Sequence, residues 1–103
     1  MFKIQPNPTF KATVALSIPG QSVQVSIEVE FRHMSKSAMR DYFATLAQRT
    51  DADALAEIIV GWSGVDTAFD HDALAALIDN YPAAAGELFE AFRRETLESR
   101  RKN

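Results

Sequence analysis

The sequence predicts an α+β fold: an N-terminal antiparallel β-hairpin followed by a bundle of about four α-helices. Three observations predict it. Residues 10–18 and 23–31 alternate apolar and polar side chains, the period of a half-buried strand. From Ser35 onward apolar residues instead recur every three or four positions, the period of a helix with one buried face. Between those helical runs stand capping and breaking residues, Ser35, Thr50, Gly61, Asp70 and Pro82, at the places where helices must start or stop.

In the first strand Phe10, Ala12, Val14, Leu16 and Ile18 share one face; in the second Val23, Val25, Ile27, Val29 and Phe31 do. Pro19-Gly20 between them is a turn signal. Folding the chain about a loop of residues 19–22 sets Ile18 opposite Val23, Leu16 opposite Val25, Val14 opposite Ile27 and Phe10 opposite Phe31. Lys11 then meets Glu30 on the other face, so apolar faces apolar and base faces acid. Ahead of the hairpin, Pro6 and Pro8 favour an extended arm, with a short edge strand over Phe2 to Gln5 as the lesser expectation.

Ser35 or Ser37 caps the first helix, which carries Met39, Tyr42, Phe43, Leu46 and Ala47 on its inner face. Thr50-Asp51-Ala52-Asp53 resembles a capping box and opens a short second helix with Leu55, Ile58 and Ile59, closed by Gly61. Trp62 follows as the expected hinge about which the helices pack. Asp70 caps a third helix with Ala73, Leu74, Leu77 and Ile78 inside, and Pro82 fits the first turn of a fourth, with Ala85, Leu88, Phe89 and Phe92 on one side. Glu90–Arg94 and Glu98–Lys102 are expected i,i+4 pairs on that helix. One domain is expected over 1–103, with the hairpin at about 10–32 and the helices at about 35–101.

At 103 residues and 47% hydrophobic the chain builds a core, but a small one, and such domains often gain from a partner. A two-stranded hairpin is marginal alone, and its outer edges stay open to strand addition, which points to self-association. With no cysteine, disulfides and thiolate metal sites are excluded, as fits a cytoplasmic protein. No apolar run is long enough for a membrane helix, and MFKIQPNPTF lacks the apolar centre of a secretory signal. The net charge of −3 argues against nonspecific nucleic-acid binding by the whole chain. It is uneven: residues 93–103 hold five basic and two acidic residues, +3, which leaves −6 for the rest.

No catalytic, cofactor or metal site is expected. Asp66, Asp70, His71 and Asp72 match no metal-ligand spacing, and a helix cap with a first-turn acid accounts for Asp70 and Asp72. His33 has no acid–base partner near it in sequence, the serines sit in no nucleophile elbow, and Gly61 and Gly64 form no phosphate loop.

The second half then carries a resemblance. The runs I-x-G-W-S-G-V-D, F-D-x-x-A-L-x-x-L-I-D-x-Y-P-x-A and A-F-R-R-E-x-L-E-S-R-R-K-N, with Gly61, Trp62, Val65, Asp66, Phe69, Leu74, Leu77, Tyr81, Pro82, Ala91, Phe92 and Lys102-Asn103 carrying the match, resemble the tail assembly chaperones of long-tailed phages and prophages over roughly the C-terminal two-thirds. The resemblance implies a non-enzymatic protein of the bacterial host cytoplasm. It implies binding to the tape measure protein, a long and mostly helical chain, which is held soluble while the tail tube polymerises around it; oligomers, and a longer frameshifted product, are common in the family. The helices flanking Trp62 and the fourth helix are expected to face the client through Trp62, Phe89, Phe92 and Leu97, with Tyr42 as a further exposed aromatic. The alternative is a small oligomeric adaptor or regulatory module that touches nucleic acid through the basic end Arg93, Arg94, Arg100, Arg101 and Lys102; salt-sensitive retardation of nucleic acid separates the two. A small enzyme has the least support.

Overall fold

The computed structural model describes residues 1–98. Strands β1 (Thr9–Leu16) and β2 (Val25–Arg32) are followed by helix α1 (Lys36–Ala44), a 3-10 turn (Leu46–Gln48), helix α2 (Asp51–Ile58), strand β3 (Ile59–Ser63), and helices α3 (His71–Asn80) and α4 (Ala84–Leu97). The fold is α+β, as the sequence predicts.

The hairpin pairs in the expected register, with Phe10 opposite Phe31, Lys11 opposite Glu30, Val14 opposite Ile27 and Leu16 opposite Val25. Glu30 accepts a 2.6 Å hydrogen bond from the Thr9 hydroxyl. The connection is longer than expected. The strands end at Leu16 and Val25, and Val23 is exposed. Within it Gln21 N–H donates to Ile18 O at 3.0 Å, and Gly20 has φ 82° after Pro19, the signature of a type II turn. Arm residues Phe2 and Ile4 are exposed and form no strand.

The expectation around Gly61 and Trp62 is overturned. Ile59 does not continue α2; its backbone turns extended, at φ −110° and ψ 129°. Ile59–Ser63 is a third strand, antiparallel to β2, so the sheet has three strands in the order β1-β2-β3. Gly61 is therefore no helix cap: it lies opposite Glu30, with Trp62 opposite Val29. The physical reason is the run Ile58-Ile59-Val60, whose β-branched side chains favour a sheet and covers the β2 edge that the hairpin alone leaves bare. Phe31 pairs with Ile59 and Glu30 with Gly61, so Val60 is the extra residue of a bulge.

Caps follow the sequence. Ser35 accepts from Ala38 N–H at 3.1 Å, Thr50 from Asp53 N–H at 3.1 Å and Asp70 from Ala73 N–H at 2.7 Å. Pro82 stands in the turn before α4, whose N-cap Ala83 offers no side-chain acceptor. The expected Glu90–Arg94 pair is replaced by Glu90–Arg93 at 2.6 Å, with Arg93 also held by Glu98. Lys102 and the end of the basic tail lie outside the described residues.

The buried side chains form one contiguous cluster between the inner face of the sheet and the helices. At its centre Phe31 stacks on Phe10 and tilts against Phe92, with 5.6 Å between ring centroids in each case. Ser17 N–H donates to Glu87 Oε1 at 2.9 Å and fixes the end of β1 to α4.

Candidate partner-binding surfaces

Two of the five residues expected to face a partner are core residues. Phe92 is 1% exposed, closed in by Phe10 and Phe31. Tyr42, expected to be exposed, is 3% exposed; its hydroxyl donates to Ala54 O at 2.6 Å and ties α1 to α2. Burial pushes the Tyr42 phenol up to about 12, against an opposing pull from Arg49, whose guanidinium lies 5.8 Å from the ring centre. Helical spacing gave Tyr42 and Phe43 as neighbours on one face. The short α1 instead buries Met39 and Tyr42 and turns Phe43 outward at 40% exposure.

That turn creates a surface which sequence reasoning missed. Phe43 and Leu46, from α1 and the 3-10 turn, stand across from Gly86 and Phe89 of α4, with Ala54 of α2 between them, and line an open groove of about 290 Å³. Asp51, Glu90 and Arg93 rim it. The rim charges are partly neutralised in place. Arg93 is clamped by Glu90 and Glu98, which raises its guanidinium, and its hydrogen bond holds the Glu90 carboxyl below the usual range. Phe89 is half-buried against the core and turns its remaining face into this groove. A mostly apolar trough bounded by helices suits the apolar stripe of another helix.

Trp62 makes a second surface. Its indole N–H donates to Thr67 O at 2.8 Å, and its ring meets Phe69 edge-on with 5.0 Å between centroids. Gly64, at φ 85°, turns the chain from β3 into the loop that the indole holds. Trp62 is half-buried, so it is a strand residue pinning a loop rather than a hinge between helices. With Val65, Leu77 and Tyr81 it lines a shallow cleft of about 270 Å³. Leu97, near the end of α4, is 58% exposed.

The acidic group around residue 70 is dispersed by its own hydrogen bonds. Asp70 caps α3, Asp66 accepts from the Thr67 hydroxyl at 3.0 Å, and His71 Nε2 lies 2.8 Å from Asp53 Oδ1. The hydrogen bond from His71, then that from Thr50, hold the Asp53 carboxyl below its usual range. Among the described residues no group of three or more such side chains is placed to hold a metal ion, and no helix is long and apolar enough to cross a membrane.

Compared with known protein families, residues 1–103 match the phage tail assembly chaperones. The chain belongs to that family. The match takes in the whole chain, hairpin included, where the sequence motifs carried the resemblance only over the C-terminal two-thirds. Neither a curated protein nor a solved structure matches this tail assembly chaperone.

Proposed function

We propose that this tail assembly chaperone binds the tape measure protein in the host cytoplasm, without performing bond chemistry, and keeps that long helical chain soluble until the tail tube assembles around it. The observation that carries the reading is the groove between α1 and α4. It sets the exposed Phe43 beside the half-buried Leu46 and Phe89 along one open, mostly apolar trough between two helices. An amphipathic helix of the client lays its apolar stripe into that trough, and its polar flanks meet Asp51, Glu90 and Arg93. Phe89 is the anchor; Leu97 extends the same helix toward the client, and the Trp62 cleft is a secondary contact. Phe92 and Tyr42 act from beneath, as the packing that holds the groove walls apart.

The test is coexpression with the tape measure protein of the same phage. The reading expects the client in the soluble fraction and copurifying with this chain, and expects Phe89→Asp to return it to the pellet. A client that stays soluble with the Phe89→Asp variant, at equal expression and with no copurification, contradicts the reading. The nucleic-acid alternative gains no support from Arg93, whose guanidinium is already paired with Glu90 and Glu98.

A further inference from the structure

The sheet has two outer edges, and they differ. The β3 edge is five residues long, carries Gly61 and is bent by the bulge at Val60. Those are the features that blunt an edge against further pairing. The β1 edge runs eight residues from Thr9 to Leu16 with no proline, no bulge and one charge, Lys11. Among the described residues no strand pairs with it; at its far end the exposed Gln24 side chain donates to Ala15 O at 3.4 Å and to Glu87 Oε2 at 3.2 Å, bonds that an incoming strand displaces.

Which of its groups face outward follows from one bond. His33 N–H donates to Pro8 O at 2.9 Å, so Pro8–His33 is a hydrogen-bonded pair of the antiparallel ladder. Such pairs alternate. Phe10, Ala12, Val14 and Leu16 therefore bond to β2, while Thr9, Lys11, Thr13 and Ala15 send their N–H and C=O groups to the free edge. Helix α4 lies beside the same edge and runs the opposite way: Ser17 touches Glu87 and Phe10 stacks near Phe92, and between them Thr13 lines one groove with Glu90 and Ala91. Edge and helix together line a groove of about 470 Å³, with Thr13 and Ala15 on one side and Glu87, Glu90 and Arg94 on the other.

We infer that this groove is the seat of a second copy of the chain, joined about a two-fold axis at Thr13. One axis satisfies both walls. In the sheet it pairs Thr13 with Thr13 of the second copy and Lys11 with Ala15. Outward groups meet outward groups, polar face meets polar face, and Lys11 does not oppose its own copy. On the helices the same axis passes by the Glu90–Ala91 step. Glu87 and Arg94 are equally spaced on either side of that step, so Glu87 of one α4 lies across from Arg94 of the other. An isologous interface needs this self-complementarity. The product is a continuous sheet with three strands from each copy and two α4 helices side by side. The Phe43–Phe89 groove shares Gly86 and Glu90 with this one, but Phe43, Leu46 and Phe89 lie outside the contact, so the inference stands apart from the client reading.

The chain has no cysteine, which makes the test clean. Thr13→Cys places two thiols about 5.5 Å apart, Cα to Cα, across a hydrogen-bonded pair, within disulfide reach. Glu28→Cys, on the same exposed face but one strand further in, is the control. Under mild oxidation Thr13→Cys is expected to give a cross-linked dimer and Glu28→Cys monomer. Thr13→Pro removes only an outward donor, which an edge strand tolerates, so it is expected to keep the native circular dichroism and to sediment as a monomer where the unaltered chain sediments as a dimer. Arg94→Glu leaves the sheet untouched and is expected to weaken the dimer by roughly tenfold, through loss of two symmetric ion pairs. An unaltered chain that stays monomeric at high concentration, a folded Thr13→Pro that stays dimeric, equal cross-linking by the two cysteine variants, or an unchanged dissociation constant in Arg94→Glu overturns the inference.

Discussion

Phe92→Ala separates the two roles that the fourth helix combines. Phe92 is 1% exposed and contacts the rings of Phe10 and Phe31 at 6.3 and 5.6 Å. Cutting a buried phenylalanine to alanine removes its transfer free energy and leaves a cavity, at a cost of about 3–5 kcal/mol. A chain of this size has a total stability of roughly 5–15 kcal/mol, so the loss is a large share of it. With about 4 kcal/mol lost, the thermal midpoint falls by roughly 20 °C. Phe89, one turn back and half-buried, is expected to cost only about 1–2 kcal/mol on the same truncation while it removes most client affinity. Urea titration followed by far-ultraviolet circular dichroism reads both variants, and client pull-down below each midpoint reads binding. If Phe92→Ala costs under about 1 kcal/mol and yet abolishes capture while Phe89→Ala captures normally, the assignment of core and surface is reversed and the reasoning fails.

Other outcomes follow from single contacts. Tyr42→Phe deletes the buried hydroxyl bond to Ala54 O, a carbonyl that keeps its bond within α2, for a loss of about 1 kcal/mol of stability by urea titration; no loss would mean that this bond adds nothing net. Gly64→Ala is expected to cost about 1 kcal/mol because its φ of 85° disfavours any Cβ, although the nearest atom to that Cβ, in Ile27, is at an ordinary 3.7 Å. Gly61→Ala, with open space around it and no positive φ, is expected to be neutral, and a cost equal to that of Gly64→Ala would contradict this. The Asp53 carboxyl is held low by His71 and Thr50, so its contribution to stability is present above the ordinary carboxylate value and disappears as pH falls through the lower folded value. Asp53→Asn is expected to flatten the acid limb of the stability–pH curve, and an unchanged limb would remove Asp53 from the account.

The hairpin was legible to the register because its alternation leaves one pairing that keeps Phe10, Val14 and Leu16 on a common face with Phe31, Ile27 and Val25. The caps at Ser35, Thr50 and Asp70 were legible because each needs only local chemistry. Strand β3 was not. Its five residues are too few to show a period of two, and a glycine after an apolar helical run reads as a cap until a bare strand edge is there to recruit it. The groove was hidden for a related reason. Helical spacing names a face but not its width, and the nine-residue α1 covers Tyr42 while leaving the next residue, Phe43, in solvent. The burial of Phe92 was hidden because it depends on Phe10 and Phe31, which lie at the other end of the chain.

The most direct measurement of the central claim is site-specific photocrosslinking in cells that make this chain together with the tape measure protein. A photoreactive residue at position 43 or 89, in the groove, is expected to cross-link to the tape measure protein, and one at position 28, on the polar face of the sheet, is not. Cross-links to the client from position 28, with none from 43 or 89, would place the client on the sheet and contradict the account.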